Sequence, residues 1–60
     1  MGHYRVYCLD GEDRISSADW IEAADDNTAV SDVKTRFPGQ KCELWEGPRL
    51  VGRVDTRRGA

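Results

Sequence analysis

Apolar and polar residues alternate with two different periods along this chain, and the order of those periods sets its architecture. Residues 4–9, Tyr-Arg-Val-Tyr-Cys-Leu, are rich in β-formers and unbroken by Gly or Pro. With a period of two, Tyr4, Val6 and Cys8 share one face and Arg5, Tyr7 and Leu9 the other. Both faces carry apolar side chains, as an interior strand requires. Asp10-Gly11-Glu12-Asp13 reads as a turn, with Asp-Gly expected to supply the positive φ of a tight hairpin. A second strand is expected over residues 14–23. Its alternation is interrupted by Ser16, Ser17, Ala18 and Asp19, which predicts an edge strand with a bulge near residues 17–19.

The period then changes. Asp25-Asp26-Asn27 are helix-capping residues whose carboxylates suit the positive end of a helix dipole. Ala29, Val30, Val33 and Phe37 fall on one helical face. Lys34 and Arg36 sit in the last turn, and Pro38-Gly39 ends the helix. A third strand is expected over 41–45, a turn over 46–49, a fourth strand over 50–55, and a frayed tail from Thr56 onward.

The elements therefore read β-β-α-β-β, an α+β domain with one helix on one face of a four-stranded sheet. Two strand orders fit. In 2-1-3-4 the sheet is fully antiparallel. In 2-1-4-3 strands 1 and 4 run parallel at the centre in a β-grasp-like arrangement. The expected helix-side core is Tyr4, Val6, Cys8, Ile21, Ala29, Val30, Val33, Phe37, Cys42 and Leu44, with Leu50 or Val51.

One helix leaves the other sheet face uncovered. That face should display Arg5, Tyr7, Leu9, Trp45 and Arg53, with Trp20 if the bulge turns it outward. Solvated sheet faces are rich in Thr, Lys, Glu and Ser, whereas Tyr, Trp and Arg are enriched where proteins bind. The favoured reading is a non-catalytic interaction module that self-associates as a homodimer, through this face or a sheet edge. An unknown protein partner is also compatible. The plainer reading is a Tyr7–Trp45 cross-strand pair that stiffens the sheet.

Length and charge narrow the chemistry. Sixty residues make one domain, of a size that buries only about 60% of its unfolded surface. The net charge is −2 and the sequence pI about 5.2. Charge is segregated: residues 10–32 hold eight acids and one base, residues 34–58 seven bases and three acids. A second functional reading follows from the basic half. Arg49, Arg53, Arg57 and Arg58 trail along the last strand, and arginines beside aromatic residues can stack single-stranded nucleic acid. The acidic balance and the lack of an RNA-binding motif place it second.

No catalytic constellation emerges, so no enzyme activity is expected. His3 stands alone near the N-terminus, and Asp10, Glu12 and Asp13 lack the spacing of a calcium loop. Cys8 and Cys42 with one His do not make a zinc site. Neither metal nor cofactor is expected. No apolar run approaches the ~20 residues of a membrane span. Residues 1–5 show no export signal, which gives a cytoplasmic expectation. There, Cys8 and Cys42 read as buried thiols, with a disulfide as the lesser alternative.

Tyr4-Arg5-Val6-Tyr7 with Leu9-Asp10, the Asp25-Asp26 helix opening, and Glu43-Leu44-Trp45-x-Gly47 with Arg49 and Val51 resemble a group of very short uncharacterised bacterial proteins. The resemblance extends over nearly the whole chain and its motifs are structural. It implies a bacterial, cytoplasmic, stand-alone domain. That group has no assigned activity, so the resemblance assigns none here.

Overall fold

A computed structural model describes residues 2–56. The chain forms β1 (Gly2–Leu9), β2 (Ile15–Ala23), α1 (Asp26–Arg36), β3 (Lys41–Glu46) and β4 (Arg49–Asp55). The sheet order is β2-β1-β3-β4 and every neighbouring pair is antiparallel. This settles the choice between the two orders in favour of 2-1-3-4. The crossover through α1 inserts β1 between β2 and β3, so the most apolar strand lies at the centre.

The helix ends are built as their residues dictate. Asp25 holds an extended backbone, and its carboxylate accepts the Thr28 N–H at 2.8 Å. That satisfies one of the amides left open at a helix start. At the other end the Phe37 N–H bonds the Val33 carbonyl at 2.9 Å, and Gly39 carries the positive φ of 74° that the following turn needs. The α1–β3 connection is clipped by Thr56. Its N–H bonds the Gln40 carbonyl at 3.0 Å, and its hydroxyl accepts the Gln40 N–H at 3.3 Å. The same hydroxyl lies 3.2 Å from the Phe37 carbonyl and 3.3 Å from that of Gln40. Thr56, expected as the start of a frayed tail, is therefore held in place, and the rest of that expected tail lies outside the described residues.

The core lies between α1 and the sheet. It comprises Tyr4, Val6, Cys8, Ile21, Ala23, Ala29, Val33, Cys42, Leu44 and Val54, with Val30, Phe37 and Val51 packed against it. Two members, Ala23 and Val54, were not anticipated. Val54 follows from its register opposite Cys42.

Register explains the remaining differences. On β2, Ile15 faces Leu9 and Ser17 faces Cys8, so Ser16 is the extra residue of a bulge. The bulge sits just before the expected 17–19, and the Ser16 hydroxyl donates to the Cys8 carbonyl at 3.1 Å. On β4, Trp45 faces Leu50 and Leu44 faces Gly52, which makes Val51 the extra residue of a second bulge. Val51 turns to the core and Leu50 to the opposite face. In the first hairpin the positive φ falls on Asp13 (61°) rather than on Gly11. Here the Asp10 carboxylate, accepting the N–H groups of Glu12 (2.8 Å) and Arg14 (3.0 Å), shapes the turn.

The two cysteines correct the sequence reading. Cys8 and Cys42 are direct cross-strand partners, their Cα atoms 4.0 Å apart, and they are joined as a disulfide rather than held as thiols. Both are fully buried beneath α1. The expectation of free thiols came from an assumed reducing compartment, not from geometry. The antiparallel register places the two side chains directly opposite each other on one face.

Candidate functional site: the helix-free sheet face

Antiparallel register sets the uncovered face as rows that cross the sheet. Trp20 is opposite Arg5, Arg5 opposite Trp45, and Trp45 opposite Leu50. This single row crosses all four strands. The next row runs Ala18, Tyr7, Glu43, Arg53, and the third Ile15, Leu9, Lys41, Asp55. Each sequence-predicted residue of the face is therefore on it: Arg5, Tyr7, Leu9, Trp20, Trp45 and Arg53. Trp20 points outward because alternation is regular from Ser17 onward, past the bulge. Its side is 62% exposed.

Two residues of this face escaped the sequence reading. Ile15, 61% exposed, and Leu50, 38% exposed, both stand outward. In each case a one-residue bulge on an edge strand shifts the parity of the residues beyond it. Only the register reveals which residue is the extra one.

Arg5 is the central cation of the face. Its guanidinium carbon lies 4.6 Å from the Trp20 ring centroid and 5.5 Å from that of Tyr7, within cation–π range. Its Nε is buried and has no hydrogen-bond partner. Tyr7 and Trp45 are diagonal rather than direct cross-strand neighbours, because Tyr7 faces Glu43. Trp45 is instead steadied by its indole N–H donating to Glu43 at 3.3 Å. Glu43 also pairs with Arg53 at 3.4 Å. Together Arg5, Tyr7, Trp20, Trp45, Gly47 and Pro48 line an open cleft of about 600 Å³. The positive φ of Gly47 (55°) turns the β3–β4 hairpin that forms one wall.

The arginines named for nucleic acid do not gather on this surface. Arg53 is on it. Arg49 is on the helix side, where it grips both carboxylate oxygens of Asp26 at 3.1 Å and Glu46 at 2.5 Å. Arg57 and Arg58 lie outside the described residues. Tyr4 completes the Asp26 cluster, donating its hydroxyl to Asp26 at 2.8 Å. The hydrogen bonds from Arg49, then Tyr4, hold the Asp26 carboxyl below its usual value. The same bond to Asp26, aided by burial, pushes the Tyr4 phenol up to about 12. Arg49 is held more firmly protonated by Asp26 and Glu46.

The acidic and basic segments of the sequence thus meet in the fold. Lys41 pairs with Asp13, and Arg49 with Asp26. Arg14 pairs within its own turn with Glu12 at 2.9 Å. His3, inside β1, meets Glu22 across the strand pair at 2.8 Å. These pairs are mostly exposed, and each contributes little to stability. Among the described residues no three His, Cys, Asp or Glu side chains come together to hold a metal ion. No helix among them is long and apolar enough to cross a membrane.

No protein-family model, curated protein or solved structure matches this chain.

Proposed function

We propose that this chain is a non-catalytic interaction module that self-associates through its helix-free sheet face. The observation that carries the proposal is the row Trp20, Arg5, Trp45, Leu50, which crosses every strand of the sheet. Aromatic rings and guanidinium groups form the energetic centres of protein interfaces, and Tyr and Trp bury much area at little entropic cost. A second copy is the partner this reading puts first. The face is favoured over the edges because each edge strand is interrupted by a bulge, at Ser16 and at Val51.

The molecule measures 32 × 19 × 15 Å. Its broad face offers roughly 600 Å², somewhat below the ~800 Å² per partner of a standard stable interface. Association should therefore be of micromolar or weaker affinity. The single-stranded nucleic-acid reading is weaker. Arg53 is engaged with Glu43, and Arg49 is engaged with Asp26 on the opposite side.

The test is the solution mass of the purified chain from micromolar to millimolar concentration. A monomer–dimer equilibrium that Trp45→Ala abolishes, with helix content retained, supports the proposal. A strict monomer throughout removes self-association.

A further inference from the structure

The cleft holds one cation that no ion pair among the described residues engages. Arg14, Lys41, Arg49 and Arg53 each meet a carboxylate, and none of the ion pairs among the described residues includes Arg5. Arg5 instead stacks on Trp20 and Tyr7, with its Nε buried and unpartnered. A guanidinium stacked on a ring satisfies its flat face and leaves its in-plane donors available. With Nε buried, the terminal Nη groups are the donors that can meet a carboxylate, which they grip end-on with two parallel hydrogen bonds. Around this cation the cleft is lined by two indoles, a phenol ring and the Gly47-Pro48 turn.

We infer that this cleft binds an extended peptide segment that sets a carboxylate against Arg5 and an adjacent proline or aromatic side chain against Trp20 and Trp45. The inference rests on the reading of this face as a contact surface; a peptide in the cleft and a second copy on the face exclude one another, because both need Arg5, Trp20 and Trp45. Three observations select the occupant. First, a cleft of about 600 Å³ lies in the size range of organic-ligand sites, far beyond what a lone small anion fills. Second, walls of Trp, Tyr and Pro suit an extended, proline-containing segment, which docks on aromatic-lined grooves with little loss of chain entropy. Third, the charge is right for one carboxylate and wrong for a polyanion. Arg5 is the cleft's unpaired cation and Glu43 stands in the adjoining row, whereas nucleic acid gains its affinity from several phosphate contacts at once.

The experiment uses the oxidised full chain and two blocked peptides, acetyl-Pro-Pro-Asp-Phe-Pro-amide and its Asn counterpart. Neither contains Trp, so the emission of Trp20 and Trp45 reports binding. The Asp peptide should bind at least tenfold more tightly than the Asn peptide. That preference should vanish in Arg5→Gln and persist in Arg36→Gln, a change on the helix. Trp20→Ala should weaken both peptides alike. Should Arg5→Gln fail to fold, the Asp-to-Asn ratio of the unaltered chain and the effect of Arg5→Lys on it decide.

Equal binding of the two peptides, or no binding up to millimolar concentration, overturns the inference. So does an oligothymidylate that binds at low salt more tightly than the Asp peptide and displaces it. Solution mass is recorded on the same samples. Peptide binding is read below the concentration at which the chain dimerises: refusal of the Asp peptide by the monomer overturns the peptide site alone, while a strict monomer that takes it overturns self-association alone.

Discussion

Tyr4 and Asp26 are joined across the boundary between sheet and helix, the phenol donating to a carboxylate oxygen 2.8 Å away. Asp26 lies in the first turn of α1 and is also held by Arg49 from β4. One carboxylate therefore fixes the helix start to both halves of the sheet. The bond depends on two protonation states: a neutral phenol and an ionised carboxyl.

Stability should accordingly fall at both pH extremes. The folded Asp26 and Asp25 carboxyls are held below their ordinary value of 3.8. Their contribution is complete above that value and is lost as pH drops through the lowered one. The folded Tyr4 phenol is raised from 10.0 to about 12. Its contribution is complete below pH 10 and fades between 10 and 12, as an unfolded chain would release that proton first. Denaturant midpoints measured across pH should show both limbs. Tyr4→Phe should remove the alkaline limb assigned to this residue, and Asp26→Asn should flatten the acid one.

The Cys8–Cys42 crosslink closes a loop with a sequence separation of 34. A constraint of that length on the unfolded chain is worth about 4 kcal/mol in the loop-entropy account. A domain of this size gains a net stability of only ~3–5 kcal/mol from a single core. The Cys8→Ala/Cys42→Ala double variant should thus be marginal or unfolded at room temperature. Equilibrium urea unfolding of the oxidised chain and the double variant gives the difference directly. Equal midpoints would mean that the covalent link contributes nothing.

Leu44 is fully buried beneath the helix at the centre of β3. Leu44→Ala should cost about 2–5 kcal/mol through lost burial and the cavity left behind. Trp20→Ala, on the same sheet but exposed, should shift stability by less than about 1 kcal/mol. Thermal unfolding of the two variants should separate them by many degrees. A large loss for Trp20→Ala would show that its contact with Arg5 supports the fold rather than contact with a partner.

Thr56 ties the end of β4 to the α1–β3 connection through its backbone and its hydroxyl. Thr56→Val keeps the shape and removes the hydroxyl, which should cost about 1 kcal/mol. The amide of Gln40, which donates to that hydroxyl, should exchange faster with solvent in this variant. Unchanged exchange at Gln40 would show that the backbone bond alone holds the connection.

The alternating and helical periods made the elements and their order legible before any coordinates. A single unbroken apolar strand at residues 4–9 also favoured a central position for β1. Residue-level errors arose where one residue changes the parity of an edge strand. Nothing in Ser16-Ser17 or Leu50-Val51 says which residue is skipped by the ladder, so Ile15 and Leu50 were missed as members of the open face. The disulfide follows from the direct pairing of Cys8 with Cys42, a matter of register that the lack of an export signal does not address. Arg49 was grouped with Arg53 by proximity in sequence, yet the bulge and hairpin put the two on opposite sides of the sheet. The charge on Asp26 that draws Arg49 to the helix was visible only as a capping signal.

The sulfurs of Cys8 and Cys42 lie where no soluble reductant can approach them, since both residues are sealed under α1. Thiol exchange requires in-line attack by an external thiolate. Cleavage must then wait for the helix to lift from the sheet, however much reductant is supplied. At saturating thiol the rate of reduction should level off, and the plateau would time how often this small layer opens on its own.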